Sequence, residues 1–305
     1  MKGNSPRVSV IVPNYNHSKF LRQRIDSILQ QSYQDFEVIL LDDCSTDNSK
    51  DILVSYADNP HVSTILINEK NSGSPFKQWE RGMEFAKGEF IWIAESDDTA
   101  DPSFLEELMT PLANTPNAVL AFSHSYLIDT DGNVMEGDLH NNSSDQVDIY
   151  NGRIFCRQKM TTHNYIHNAS MVVFRLSAYQ QLDKEYYQQF RACGDWAFWT
   201  DICLQGKVIE VCKKLSRFRI HPNKVTTTTR ADSAWNEVGI ILTDFIRHIP
   251  LKGLSLRLFR GKWTRDILLS KTTDKKEFVR KYPEVFGASK TDILLYRLLS
   301  AVQKS

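Results

Sequence analysis

Four short apolar runs in the first hundred residues constrain the fold more than anything else in the chain. They are Val8-Ser-Val-Ile-Val12, Val38-Ile-Leu-Leu41, Thr64-Ile-Leu-Ile67 and Phe90-Ile-Trp-Ile93. Each is too short for a helix and rich in β-branched residues, so each reads as a buried strand. Between the first two, Leu21, Ile25, Ile28 and Leu29 recur on one helical face while Arg22, Gln23 and Asp26 turn outward. Ser45-Thr-Asp-Asn-Ser supplies N-cap residues for a second helix. Asp101-Pro102 predicts another, with Leu105, Leu108, Met109 and Leu112 on its inner side. Strand–helix alternation of this kind builds an α/β fold, a mostly parallel sheet covered on both faces.

After Pro116 the pattern becomes mixed. Ala118 to Phe122 and Ser125 to Asp129 read as strands, and Gly137 to Asn151 as a polar loop. Ser170 to Phe174 and Lys207 to Ile220 predict later strands, with a helix through Trp196, Trp199 and Cys203 between them. From Asp232 onward only helix is expected, with Trp235, Val238, Leu242, Phe245 and Ile249 spaced at threes and fours. The boundary falls in Thr226 to Thr229, giving a domain over 1–226 and a helical C-terminal extension over 227–305.

Composition narrows the class. With 37 basic and 37 acidic residues, net charge points to no polyanionic or polycationic partner. The balance is uneven, because fourteen basic residues from Arg247 to Lys304 face five acidic ones. That tail is either a helical cap with a solvated face or a patch for an anionic membrane surface. Five scattered cysteines without a C-x-x-C pair argue against a disulfide framework and for a reducing compartment. With neither a signal-peptide core nor a membrane span in the sequence, the expected location is cytoplasmic, with the inner face of the membrane as a variant.

Chemistry is expected at the carboxyl ends of the strands, where open α/β sheets bind ligands. The fourth run continues as Glu95-Ser-Asp-Asp98, three carboxylates at the tip of a core strand. Helix capping needs one carboxylate, and Asp101 already offers it. A hard divalent cation, Mg²⁺ or Mn²⁺, accounts for the rest. The first strand ends in Pro13-Asn-Tyr-Asn16 and the second in Asp42-Asp43.

These stretches, with Leu40-Leu-Asp-Asp-Cys-Ser-Thr-Asp47 and Ala86-Lys-Gly-Glu-Phe-Ile-Trp-Ile-Ala-Glu-Ser-Asp-Asp98, resemble the inverting family 2 glycosyltransferases of the GT-A fold over Pro6 to Thr226. The resemblance implies a nucleotide-sugar donor, with UDP the expected nucleotide, a divalent cation, and transfer to a hydroxyl of a glycan or lipid-linked acceptor in polysaccharide assembly. No nucleic acid is implied, and oligomeric state is left open. It assigns Pro13, Tyr15 and Asp42 or Asp43 to the nucleoside, and Glu95, Ser96 and Asp97 to the D-x-D motif. Glu95 replaces the usual first Asp, so direct metal ligation is assigned to Asp97, with Asp98 and His221 beside it. Cys193-Gly194-Asp195-Trp196 resembles the family's E-D-[WY] element, with Gly194 in place of the acid and Asp195 as general base; a helix cap is its alternative role. His221, in Arg219-Ile-His221-Pro-Asn, falls near the donor diphosphate or the metal, or is structural. Lys77 is expected to replace an arginine facing the donor. The competing reading is a catalytically inactive sugar-nucleotide-binding or scaffold protein.

Overall fold

Strands buried along both faces need residues that are apolar or have their polar groups paired inside, and the first two strands are built that way. In this computed structural model, which describes residues 6–137, 139–140, 142–221 and 230–302, β1 (Val8–Asn14) and β2 (Phe36–Asp42) are buried at all seven positions. They pair in parallel, as do β1 with β4 (Phe90–Ile93) and β2 with β3 (Val62–Ile67). β3 is only partly buried, as an edge strand should be.

Helix α1 (Ser18–Leu29), α2 (Ser49–Val54), α3 (Pro75–Phe85) and α4 (Phe104–Asn114) supply the crossovers. The second helix starts at Ser49 with Asn48 at its cap, inside the expected Ser45 to Ser49 stretch. Pro102 precedes α4 rather than opening it; Asp101 instead accepts the Ser103 N–H in a turn.

Beyond β4 the sheet is mixed. Its order is β3-β2-β1-β4-β8-β6-β9-β5, where β5 is Thr99–Ala100, β6 Ala118–Ile128, β8 Val172–Arg175 and β9 Lys207–Arg219. β6 runs unbroken through Ser123-His124-Ser125, so the two expected strands are one. Its buried polar centre is satisfied sideways. His124 lies 3.0 Å from Glu210 of β9, which also accepts the Tyr165 hydroxyl at 2.7 Å. The end of the expected polar loop, Val147–Asn151, is strand β7, antiparallel to β9.

Side-chain alternation splits the interior in two. Val8, Val10, Val12, Phe90 and Trp92 meet α1 and α4 on one face. Ile11, Ile39, Ile91 and Ile93 point the other way, toward Trp79 of α3 and Phe198 and Trp199 of α8 (Gly194–Cys203). Three short helices, α5 (Gly152–Phe155), α6 (Leu176–Tyr179) and α7 (Lys184–Gln188), fill the intervening chain. The C-terminal residues are helical as expected: α9 (Ala231–His248), α10 (Gly253–Leu269), α11 (Lys275–Lys281), α12 (Pro283–Phe286) and α13 (Lys290–Val302). Ile241, Leu242 and Phe245 of α9 and Phe259 and Trp263 of α10 belong to the same core as α3 and α8. The expected boundary at Thr226 to Thr229 lies outside the described residues.

β4 is seated against β1 by a buried polar lock below the site. Ser9 donates to Glu37 at 2.7 Å and accepts the Gly88 N–H at 2.8 Å, and the Lys87 N–H reaches Glu37 at 2.8 Å. A Cβ on Gly88 would stand 2.6 Å from the Ser9 backbone nitrogen. Gly88→Ala is therefore expected to lower stability by about 1–3 kcal/mol, the usual penalty for overpacking. Chemical denaturation checks this, and an unchanged midpoint would show that the segment yields instead.

Candidate functional site

The carboxyl ends of β1, β2 and β4 open into one cleft of about 460 Å³, closed on the far side by the start of α8. Asn14 donates to Asp42 at 2.8 Å, and Ser45 reaches the same carboxylate through its hydroxyl at 2.6 Å and its N–H at 2.8 Å. Asp42 is thus a brace between two strand tips. Asp43 lines the cleft and accepts from Asn68, the Ser72 N–H and Gln78 at 2.7–2.9 Å. Asn16 and Cys44, which begin the two loops, both hold left-handed backbone at φ 57° and 61°, a conformation side chains adopt only where the surroundings impose it. Pro13 and Tyr15 line the same cleft, and the Tyr15 ring is 47% exposed, free to stack on a planar ligand.

Lys77, expected to face the donor, is exposed on α3 and is not among the cleft residues; its neighbours Gln78 and Trp79 turn inward instead. Successive helical residues point about 100° apart, so one position of error exchanges solvent for site.

The acidic tip separates into three environments. Glu95 accepts the Trp79 indole N–H at 2.8 Å, yet burial, reinforced by the neighbouring Asp97 charge, pushes its carboxyl up to about 8. That shift favours the protonated form in the cation-free site, whereas a bound cation would favour the carboxylate. Asp98 was expected among the ligands, but its oxygens accept the Arg219 N–H at 2.9 Å and the Asn168 amide, which makes it a buried brace. Asp97 meets His221 at 2.9 Å, and His17, whose Nδ1 lies 2.8 Å from the Ser96 hydroxyl, completes the group. Ligand atoms of His17, Asp97 and His221 fall within 4.8 Å of one another. Two imidazoles and a carboxylate suit a first-row divalent cation such as Mn²⁺, whereas Mg²⁺ favours oxygen alone.

Beneath the tip lies Arg24, wholly buried with its guanidinium 4.8 Å from the centre of the Trp92 ring. Burial lowers it to about 10, against the raising effect of Asp98, Glu95 and Asp97, so it stays charged at neutral pH. Nothing in the helical pattern singles it out: it shares the apolar face of α1 with Leu21, Ile25 and Ile28.

Asp195 stands in the first turn of α8, but Cys193 occupies the cap position. The Asp195 carboxylate accepts the Trp196 N–H at 2.9 Å and the Asn164 amide at 3.0 Å, and it lines the cleft. Burial pushes it up to about 7 despite those donors. Gly194 is required by space, since a Cβ there would lie 2.6 Å from the Phe76 ring and from the Tyr187 carbonyl. Of the site residues not foreseen, His17 directly follows the quoted Pro13-Asn-Tyr-Asn16 and Arg191 precedes Cys193, so proximity to the motifs was their available signal. A second cavity, lined by Asp183, Asp201, Asp244 and His248 among others, shares no residue with this cleft and contains no strand end.

Comparison with known proteins converges on one family. Residues 9–186 match the description "Glycosyl transferase family 2". An uncharacterized glycosyltransferase of Haemophilus influenzae is 25% identical over 230 residues, covering 73% of this chain and 68% of its own length. A putative teichuronic acid biosynthesis glycosyltransferase of Bacillus subtilis, TuaG, is 30% identical over 135 residues, covering 44% of this chain; the match spans about half of TuaG, 53%. Among solved structures, S. aureus TarS 1-349 in complex with UDP-GlcNAc superposes with a TM-score of 0.68 over 91% of this chain and 82% of that one. At 16% identity this likeness establishes the GT-A fold alone.

The Asn164 amide favours the ionised form of Asp195. Asn164→Ala is expected to raise the Asp195 pKa above the value near 7. A carboxyl NMR titration of both proteins measures the shift, and a fall would reverse the assigned role of the amide.

Proposed function

The chain belongs to glycosyl transferase family 2, and from that premise we propose that it is an inverting glycosyltransferase with a UDP-linked sugar as donor. The single observation that carries the reading is Asp195, a buried cleft carboxyl raised to about 7, in the same cleft as the His17–Asp97–His221 group. General bases work best with a pKa near the operating pH.

In this reading Pro13, Tyr15 and Asp43 hold the nucleoside, with Asp42 bracing the loop behind them. Ser96 orients His17 by its hydrogen bond. Asp97, His221 and His17 would hold the divalent cation, Mn²⁺ fitting the donor set better than Mg²⁺. When bound, such an ion offsets the negative charge that develops on the leaving diphosphate. Asp195 takes the acceptor's hydroxyl proton as the acceptor oxygen bonds to the anomeric carbon. The bond from that carbon to the phosphate oxygen breaks, its electrons leave with the nucleoside diphosphate, and the centre inverts.

The name of TuaG supports a role in cell-surface polysaccharide assembly, with a glycan or lipid-linked acceptor. We read 1–226 as the transferase domain and 227–305 as a helical extension completing its core. No helix among the described residues is long and apolar enough to cross a membrane. The basic tail, with Leu254, Leu268, Leu269, Leu294 and Leu298 exposed, supports peripheral contact with anionic lipid at a cytoplasmic membrane face.

A donor screen with Mn²⁺, reading released nucleotide, identifies the sugar and separates a working enzyme from an inactive binding protein. With that donor and its acceptor, Asp195→Asn is expected to lower turnover by about 10²–10⁴-fold, with donor affinity and melting temperature nearly unchanged. Near-normal turnover would remove Asp195 from the mechanism.

The cation assignment has its own test. Calorimetric titration of UDP is expected to give tighter binding with Mn²⁺ than without in the wild type, and no such difference in Asp97→Ala. Equal Mn²⁺ enhancement in both proteins would show that the ion sits elsewhere.

A further inference from the structure

The segment that carries Asp195 is held by a residue from the other end of the chain. Cys193 makes no side-chain hydrogen bond at the start of α8, so the free N–H groups there need another acceptor. Glu237 of α9 provides one for Cys193 and for the two residues leading into it. One of its oxygens accepts the Arg191 N–H at 3.0 Å, and the other accepts those of Ala192 and Cys193, both at 2.9 Å. Glu237 is buried, and charge-assisted bonds to backbone N–H groups are the strong kind. Helix α9 has little freedom to shift, because Ile241, Leu242 and Phe245 are set in the core and Gly239 lies flat against the Tyr282 ring.

The opposite side of the segment is equally confined. Gly194 presses on the Phe76 ring and the Tyr187 carbonyl, too close for any side chain. Arg191 to Gly194 is thus gripped between Glu237 on one flank and α3 and α7 on the other. Asp195 is the next residue, and Arg191 and Ala192 line the cleft with it.

We infer that Glu237 is a positioning residue for sugar transfer: it fixes the backbone of 191–193 so that Asp195 presents its carboxylate to the acceptor hydroxyl. The helical C-terminal segment is thereby part of the catalytic apparatus. This rests on the reading of Asp195 as the base. Among the described residues, the charged or titratable groups near Asp195 include Glu237 from α9, the Cys193 thiol from its own segment and Arg191, which lines the same cleft, and the Glu237 charge adds to burial in raising the Asp195 pKa.

The test uses the full chain with its identified donor and acceptor. Glu237→Gln keeps the volume but replaces one acceptor oxygen by an amide nitrogen, so at least one of the three N–H groups loses its partner. The expected result is a kcat lower by about 10–100-fold, the scale of an ångström-level misplacement, with donor KM within about twofold of wild type. The acid limb of the kcat–pH profile should move to lower pH, since a neighbouring negative charge is gone, and the amides of 191–193 should exchange faster. Glu237→Asp keeps the charge but withdraws it by one methylene; it should lose kcat while the acid limb stays in place. If Glu237→Gln does not fold, Glu237→Asp decides through its kcat and KM.

Wild-type kcat and acid limb in the folded variant, with Asp195→Asn inactive, would overturn the inference and leave the base intact. A loss in which donor KM rises in step with falling stability would overturn it too, as the mark of a merely structural cap. Near-normal turnover in Asp195→Asn would instead defeat the base reading itself, and the inference with it.

Discussion

Three carboxylates at the end of a buried strand cannot share one environment, and the way their charge is dispersed determines how the surrounding elements fit together. Arg219 does most of this. Its N–H holds the Asp98 carboxylate at 2.9 Å, and its guanidinium donates to the Asp97 carbonyl at 2.6 Å, the Asp129 carbonyl at 2.7 Å and Gln23 at 2.7 Å. One side chain thereby ties β9, the tip of β4, the end of β6 and helix α1 together. Arg24 adds a second buried positive charge from below. In the cation-free site Glu95 meets the same problem by favouring its protonated form, and Asp97 is the carboxylate grouped with His17 and His221. Breaking one partner of such a buried set typically costs about 3–5 kcal/mol, so the tip is a structural commitment as well as a chemical one.

The two cores show why the C-terminal helices cannot be regarded as a loose appendage. α9 and α10 bury Phe245, Phe259 and Trp263 in the same apolar cluster as Phe198 and Trp199, and the Trp263 indole donates to the Thr161 carbonyl at 2.8 Å. Trp263 also lies 5.6 Å, ring to ring, from Trp196, the residue after Asp195. The helix bearing the candidate base is therefore packed from the side that the tail supplies, and its entry segment is bonded from that side too.

What could be read from the residues was whatever has a local period or a local motif. β1, β2 and β4, the inner face of α1, and the carboxylates at two strand tips fall in this class. What could not be read depends on distant partners. β6 looked interrupted because His124 is polar, and only Glu210 from β9 makes it a tolerable core residue. β7 alternates Val147 and Ile149 with the polar Gln146, Asp148 and Tyr150 and resembles a loop until β9 is alongside. Asp98 and Asp97 are adjacent and chemically alike, so their division into brace and site follows from where Arg219 and His221 arrive. Arg24 sits in an apolar stripe where composition argues against it. Glu237 carries no local signal, since its three bonds span 44 to 46 positions.

The reach of Arg219 has a consequence for how the chain is made. Its bond to Asp98 spans 121 positions. On a ribosome adding roughly 5–20 residues per second, the acidic tip emerges about 6–24 s before the Arg219 N–H and guanidinium that brace it. During that interval Ile11, Ile39 and Ile91 have α3 for cover but still await Phe198 and Trp199 of α8. Arg24 is already present, because it is translated before the tip. This buried arginine is thus a positive charge already close to Asp98, Glu95 and Asp97 while the remainder of the protein is still being synthesised.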